Sequence, residues 1–96
     1  MMDADPEFDA VHPSGHILFR SCRGGYLHSV GLDEAAMDSD ADTLARAVLL
    51  AADVSHLKAL MHIRQEIVDT GHTPSADVPT RHDLDNAVDS LLRHRL

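Results

Sequence analysis

The chain contains no tryptophan, and Phe8, Phe19 and Tyr26 are its only aromatic residues. Its core must therefore be built almost wholly from aliphatic side chains, without large aromatic anchors. Cysteine occurs once, at Cys22. A single thiol excludes an internal disulfide framework and a Cys-rich zinc site, and it suits a reducing compartment. No apolar run approaches the 18 residues of a membrane-spanning helix, and Met1-Met2-Asp3-Ala4-Asp5 is acidic where a signal peptide is basic. The expectation is a cytoplasmic chain without a membrane partner. Basic residues are scarce as well: 16 Asp and Glu stand against 8 Lys and Arg, a formal charge of -8. Arg20 and Arg23 are the only bases before residue 43. A surface of this kind repels phosphate, so nucleic acid is not a favoured partner.

What is present fits one small domain. A chain of 96 residues buries only about 60 to 65% of its unfolded surface, so its stability is marginal and a partner surface adds to it. Residues 1 to 7 are acidic, carry Pro6 and show no periodicity, which predicts a flexible tail; the domain is expected over 8 to 96. Three extended segments follow, at Phe8 to His12, His16 to Cys22 and Tyr26 to Leu32. They are divided by the turn formers Pro13-Ser14-Gly15 and Arg23-Gly24-Gly25. In the middle segment Ile17 and Phe19 alternate with Leu18 and Arg20, giving one face to meet a helix.

The acidic stretch Asp38-Ser39-Asp40-Ala41-Asp42 offers side-chain acceptors and negative charge for a helix start. The helix runs from about Ala41 to Asp69 with no Gly or Pro, and its first half, Leu44 to Val54, is apolar enough to predict burial all round. Gly71 fits the C-terminal cap and His72 to Pro79 a loop. Thr80 with Asp83 resembles a capping box that opens a last helix, with Leu84, Ala87, Val88, Leu91 and Leu92 on one stripe. The predicted fold is α+β: a three-stranded antiparallel meander, a long helix and a shorter C-terminal helix. A helix this long, about 40 Å, exceeds what three short strands cover, so surplus apolar surface is expected on it.

Phe8 with Pro13 five positions later, Gly25 in the second turn, Val30 and Leu32, then Leu44-Ala45, Leu49, Ala52-Asp53 and Lys58-Ala59 resemble a known pattern. It is that of the EspD and EspH accessory proteins of mycobacterial type VII (ESX) secretion, and it covers about half of the chain, from Phe8 to Ala59. The resemblance implies a non-enzymatic protein-binding or chaperone-like module with a secretion-system partner. The same sheet followed by a long helix also looks like the YbaB/EbfC fold, whose members are homodimers and include nucleoid-associated DNA binders. This chain lacks the long acidic N-terminal extension of the first group and the leading helix of the second.

The chemistry-bearing residues are few. Eight histidines are present, but His56 and His62 point about 240° apart on the long helix and do not converge on a metal. His12 and His16 flank the first turn, and His72 and His82 flank the second loop; a surface role is expected for these. Asp83, Asp85 and Asp89 lack calcium-loop spacing. Cys22 beside Arg23 has no general base in view and reads as a half-buried strand residue. Neither catalytic residues, nor a metal, nor a cofactor is expected. Asp53, interrupting the most apolar stretch near Arg46 and His56, reads as a paired buried charge or an interface contact. The expected interface is the ridge Leu50, Val54, Leu57 and Met61, with Asp53 beside it. On this reading the protein is a homodimeric interaction module joined through the sheet edge or the long helix. The alternative, a YbaB/EbfC-like DNA binder, requires a dimer to gather Arg20, Arg23, Lys58, Arg64, Arg81, Arg93 and Arg95 into one patch.

Overall fold

A computed structural model describes residues 6–23 and 25–96; of the expected N-terminal tail, residues 1–5 lie outside this range. The fold is α+β. A 3-10 turn at Pro6–Phe8 leads into β1 (Ala10–Val11), β2 (Ile17–Ser21) and β3 (Leu27–Leu32), followed by α1 (Glu34–Met37), α2 (Ala41–Asp69) and α3 (Arg81–Arg93). The strands form an antiparallel meander in the order β1-β2-β3. Ala10 lies opposite Phe19. On the other side of β2, Val30 lies opposite Phe19 and Leu32 opposite Ile17, with an irregularity between Arg20 and Ser21.

The first expected strand is the one that departs most from the sequence reading. Residues 6–8 form a helical turn, and only Ala10–Val11 pair with β2. Proline has no N–H to give a ladder, and the turn directs the Phe8 ring into the interior, where it is almost fully buried. The short helix α1, also unforeseen, exists because the Asp33 carboxylate accepts from the Ala36 N–H, capping a single turn that buries Ala36.

The two longer helices follow their end signals. Asp40 caps α2 through the Thr43 N–H. At the far end Gly71 takes φ +84, with its N–H on the Val68 carbonyl and the His72 N–H on the Ile67 carbonyl, the two bonds of a Schellman motif. In α3, Thr80 and Asp83 form the reciprocal capping box.

What seats α2 on the sheet is a stripe of small residues at every fourth position. Ala47, Ala51, Ser55 and Ala59 are all fully buried. Ala47 shares a cluster with Ile17, Ala51 one with Phe19, and the Ser55 hydroxyl meets that of Ser21. Four helical residues advance about 6.0 Å and two strand residues about 6.8 Å, so α2 and β2 run alongside each other nearly in step. The Ser55 hydroxyl donates to the Phe8 carbonyl at 2.6 Å, which leaves Ser21 to donate to Ser55. This buried chain ties β2, α2 and the 3-10 turn together.

The expected burial of Leu44 to Val54 all round is corrected. Ala45, Arg46 and Asp53 are exposed, and Leu49 is 59% exposed. The sheet takes one face of α2 and α3 a second, leaving this third arc to water. Because the stripe admits little more than a Cβ, Ala51→Leu should destabilise the fold by about 1–3 kcal/mol through overpacking. Leu49→Ser on the open arc should stay within about 0.5 kcal/mol of the parent. Urea denaturation of the two variants checks both outcomes.

Candidate functional site

The residues expected to form an interface on the long helix are turned inward. Leu50 and Val54 are buried in one cluster with Ala10, Phe19, Leu84 and Leu91, and Leu57 and Met61 pack against it. The periodicity of α2 identified an apolar ridge correctly, but α3 of the same chain lies on it. The ridge is thus covered within the chain, which corrects its assignment as an open contact ridge. Asp53 is corrected too: it is exposed, on the arc that neither the sheet nor α3 reaches, and among the described residues it forms no ion pair.

Apolar surface also stays open on the sheet. All six residues of β3 are exposed, including Leu27 at 59%, and Tyr26 just before it is 66% exposed. The Asp33 N–H donates to the His16 carbonyl and Gly31 lies opposite Leu18, so Ser29, Gly31 and Asp33 turn their backbone groups toward β2. By the alternation of an antiparallel ladder, Val30 and Leu32 present theirs outward. β3 is an open edge with apolar side chains.

The histidines separate rather than converge. His12 bonds to His94 and not to His16; His16 bonds to Asp33 at 2.6 Å. His56 donates through Nδ1 to the Gly25 carbonyl, a close approach in which Gly25 has φ +87 and an added Cβ would lie 2.7 Å from the His56 ring. His62 lies against Phe8 with ring centroids 5.7 Å apart and reaches Glu66. His72 bonds to Thr70 and His82 to Asn86. Among the described residues no group of three or more His, Cys, Asp or Glu side chains converges as metal ligands. His12 was expected at the surface and is 1% exposed; nothing local in the sequence reports a partner 82 positions away. Cys22, expected to be half-buried, is buried, at a hairpin whose ends are joined by the Cys22 N–H to the Tyr26 carbonyl.

The cations are engaged singly. Arg20 holds Asp9 through two bonds of 2.8 and 2.7 Å, Arg23 pairs with Glu66, Arg81 with Asp85 and Arg93 with Asp89. Lys58 donates to the Asp9 carbonyl and Arg64 to those of Val78 and Pro79. Lys58, Arg64 and Arg81 border an open cavity of about 600 Å³ between α2, α3 and the 3-10 turn, with Phe8, Met61 and Leu84 as its apolar wall. No helix among the described residues is long and apolar enough to cross a membrane.

The Arg20 fork, with Lys58 nearby, holds the Asp9 carboxyl below the usual carboxylate value in spite of its partial burial. A depressed value of this kind contributes stability that is present above about pH 4 and lost as pH falls through the folded value. Asp9→Asn should therefore cost about 1–3 kcal/mol at pH 7, and the difference from the parent should be smaller at about pH 3. Paired urea titrations at the two pH values test this.

Comparison with known proteins adds relatives but no activity. An uncharacterised protein of Mycobacterium tuberculosis strain H37Rv is 68% identical over 96 residues, spanning 100% of this chain and 95% of that protein. Uncharacterised proteins of Mycobacterium tuberculosis strain CDC 1551 and of Mycobacterium bovis match to the same extent. No solved structure matches. The model of the family described as protein of unknown function (DUF2694) matches residues 1–96, and the chain belongs to that family.

Proposed function

We propose that the domain is a non-enzymatic protein-interaction module that pairs with a second copy of itself through β3. The observation that carries this reading is the open edge: six exposed residues, with outward backbone groups at Val30 and Leu32 and apolar side chains at Leu27, Val30 and Leu32. Edges that are to stay unpaired are usually guarded by lysine, proline, brevity or a bulge. Leu27–Leu32 contains neither residue and is the longest strand of the sheet, and its one irregularity lies at the Leu27 end, leaving Ser29 to Leu32 in regular register. A two-fold axis at Val30 would set Val30 against its counterpart in the second copy, giving a six-stranded sheet.

The further role, as an accessory or chaperone-like protein of type VII secretion, rests on the likeness to EspD and EspH, and the mycobacterial relatives are compatible with it. The DNA-binding alternative has less support, because Arg20, Arg23, Lys58, Arg64, Arg81 and Arg93 each already hold a carboxylate or a carbonyl of the chain. On the β3 reading, light scattering gives twice the chain mass for the parent, and Val30→Lys gives the monomer mass with an unchanged circular dichroism spectrum. A parent that remains monomeric at every concentration would overturn it.

A further inference from the structure

His12, just beyond β1, is one of the largest fully buried side chains of the described residues. Both its ring nitrogens are occupied. Nδ1 lies 3.1 Å from the Ser14 backbone nitrogen and 2.8 Å from the Ser14 hydroxyl; Nε2 lies 3.0 Å from Nδ1 of His94. A backbone N–H can only donate, so Nδ1 of His12 must accept. The proton of a neutral His12 ring is thereby assigned to Nε2, and His94 must accept it on an unprotonated Nδ1.

A second proton meets a hydrogen-bond donor on either ring. On His12 it would sit at Nδ1, facing the Ser14 N–H and turning the Ser14 hydroxyl from donor to acceptor; on Nδ1 of His94 it would face the Nε2–H of His12. The two rings meet edge to face with centroids 5.3 Å apart. Besides this pair, the ionisable side chains that line the adjoining cavity are His16, from the β1–β2 turn, and Arg95, from the segment after α3; Leu96 lines it as well. Neither side chain is an anion that could hold a protonated ring, and the carboxylate of Asp33 is bonded to His16. Burial, with His94 and His16 adding to it, lowers the basicity of His12.

His94 is also the C-terminal cap of α3. The pair therefore fastens the end of α3 to the β1–β2 turn, and Leu84 and Leu91 of α3 close the apolar ridge of α2. We propose that the His12–His94 pair is a proton-released latch, closed while both rings are neutral, whose protonation frees α3 and uncovers Leu50, Val54, Leu57 and Met61. The latch is independent of pairing through β3.

The sign follows from linkage. A released His12 takes up its proton near the ordinary histidine value of about 6.5, whereas the closed state resists it to lower pH. The closed state is thus fully favoured above that value and loses up to about tenfold in population ratio per pH unit below it for each linked proton. Amide hydrogen exchange on the full chain between pH 7.5 and 5.5, expressed as protection factors, reads this directly. Protection over Leu84–Leu91 should fall below pH 6.5 while that over Leu50–Leu57 holds. The fall should vanish in the double variant His12→Gln/His94→Gln, which keeps hydrogen-bonding side chains that do not titrate, and persist in His72→Gln. Protection of α3 that ignores pH, that falls equally in α2, or that still falls in the double variant would overturn the latch. Should the double variant not fold, imidazole nitrogen shifts of the parent decide: at pH 7.5 a bare Nδ1 on His12 is required, and a protonated one refutes the proposal.

Discussion

The seating of α2 on β2 is the contact from which the rest of the architecture follows. Ala47, Ala51, Ser55 and Ala59 bring the helix backbone close to Ile17, Phe19 and Ser21. Larger residues at these positions would hold the helix off the sheet and open the space between them to water. Ser55 is the one polar member of the stripe, and its hydroxyl is satisfied on both sides, by Ser21 and by the Phe8 carbonyl. A buried hydroxyl without those partners would cost about 1–3 kcal/mol. The same contact therefore both admits the helix and specifies where along the strand it sits.

The distribution of exposed apolar residues is a consequence of widths. A helix is about 10 Å across and strands are about 4.8 Å apart, so one helix covers about two strands. With α2 placed over β1 and β2, β3 has no cover, and Val30 and Leu32 remain partly exposed although they lie opposite the buried Phe19 and Ile17. α3 lies on the ridge of α2 formed by Leu50, Val54, Leu57 and Met61 and extends the interior there. A domain with two long helices thus keeps a bare strand because both helices pack at the other side of the sheet.

Much of this was legible from local signals. The Asp40 cap, Gly71 and the Thr80–Asp83 box mark the ends of α2 and α3 because each is a backbone requirement met within a few residues. The alternation of Ile17 and Phe19 marks the inner face of β2 in the same way. The small-residue stripe was present at four-residue spacing as well, but a search for large apolar side chains passes over it. What could not be read depended on distant partners. Apolar periodicity shows that the Leu50 ridge is covered, and gives no means of telling a partner's helix from the chain's own α3. His12 and His94 carry no local mark of each other, and the exposure of Leu49 follows only from where two other elements dock. The 3-10 turn at Pro6–Phe8 replaced an expected strand because burying Phe8 outweighed extending a ladder that proline already interrupts.

The late position of α3 in the chain also sets the order of events during synthesis. The meander and the first half of α2 can dock as soon as they emerge, since their contacts are close in sequence, whereas the ridge of α2 waits for Leu84 and Leu91. At about 5–20 residues per second, translating Thr70 to Arg93 takes about one to five seconds. For that interval the nascent chain carries both a bare strand edge and an open apolar groove, the state in which it is most exposed to chaperones and to neighbouring nascent copies on the same message.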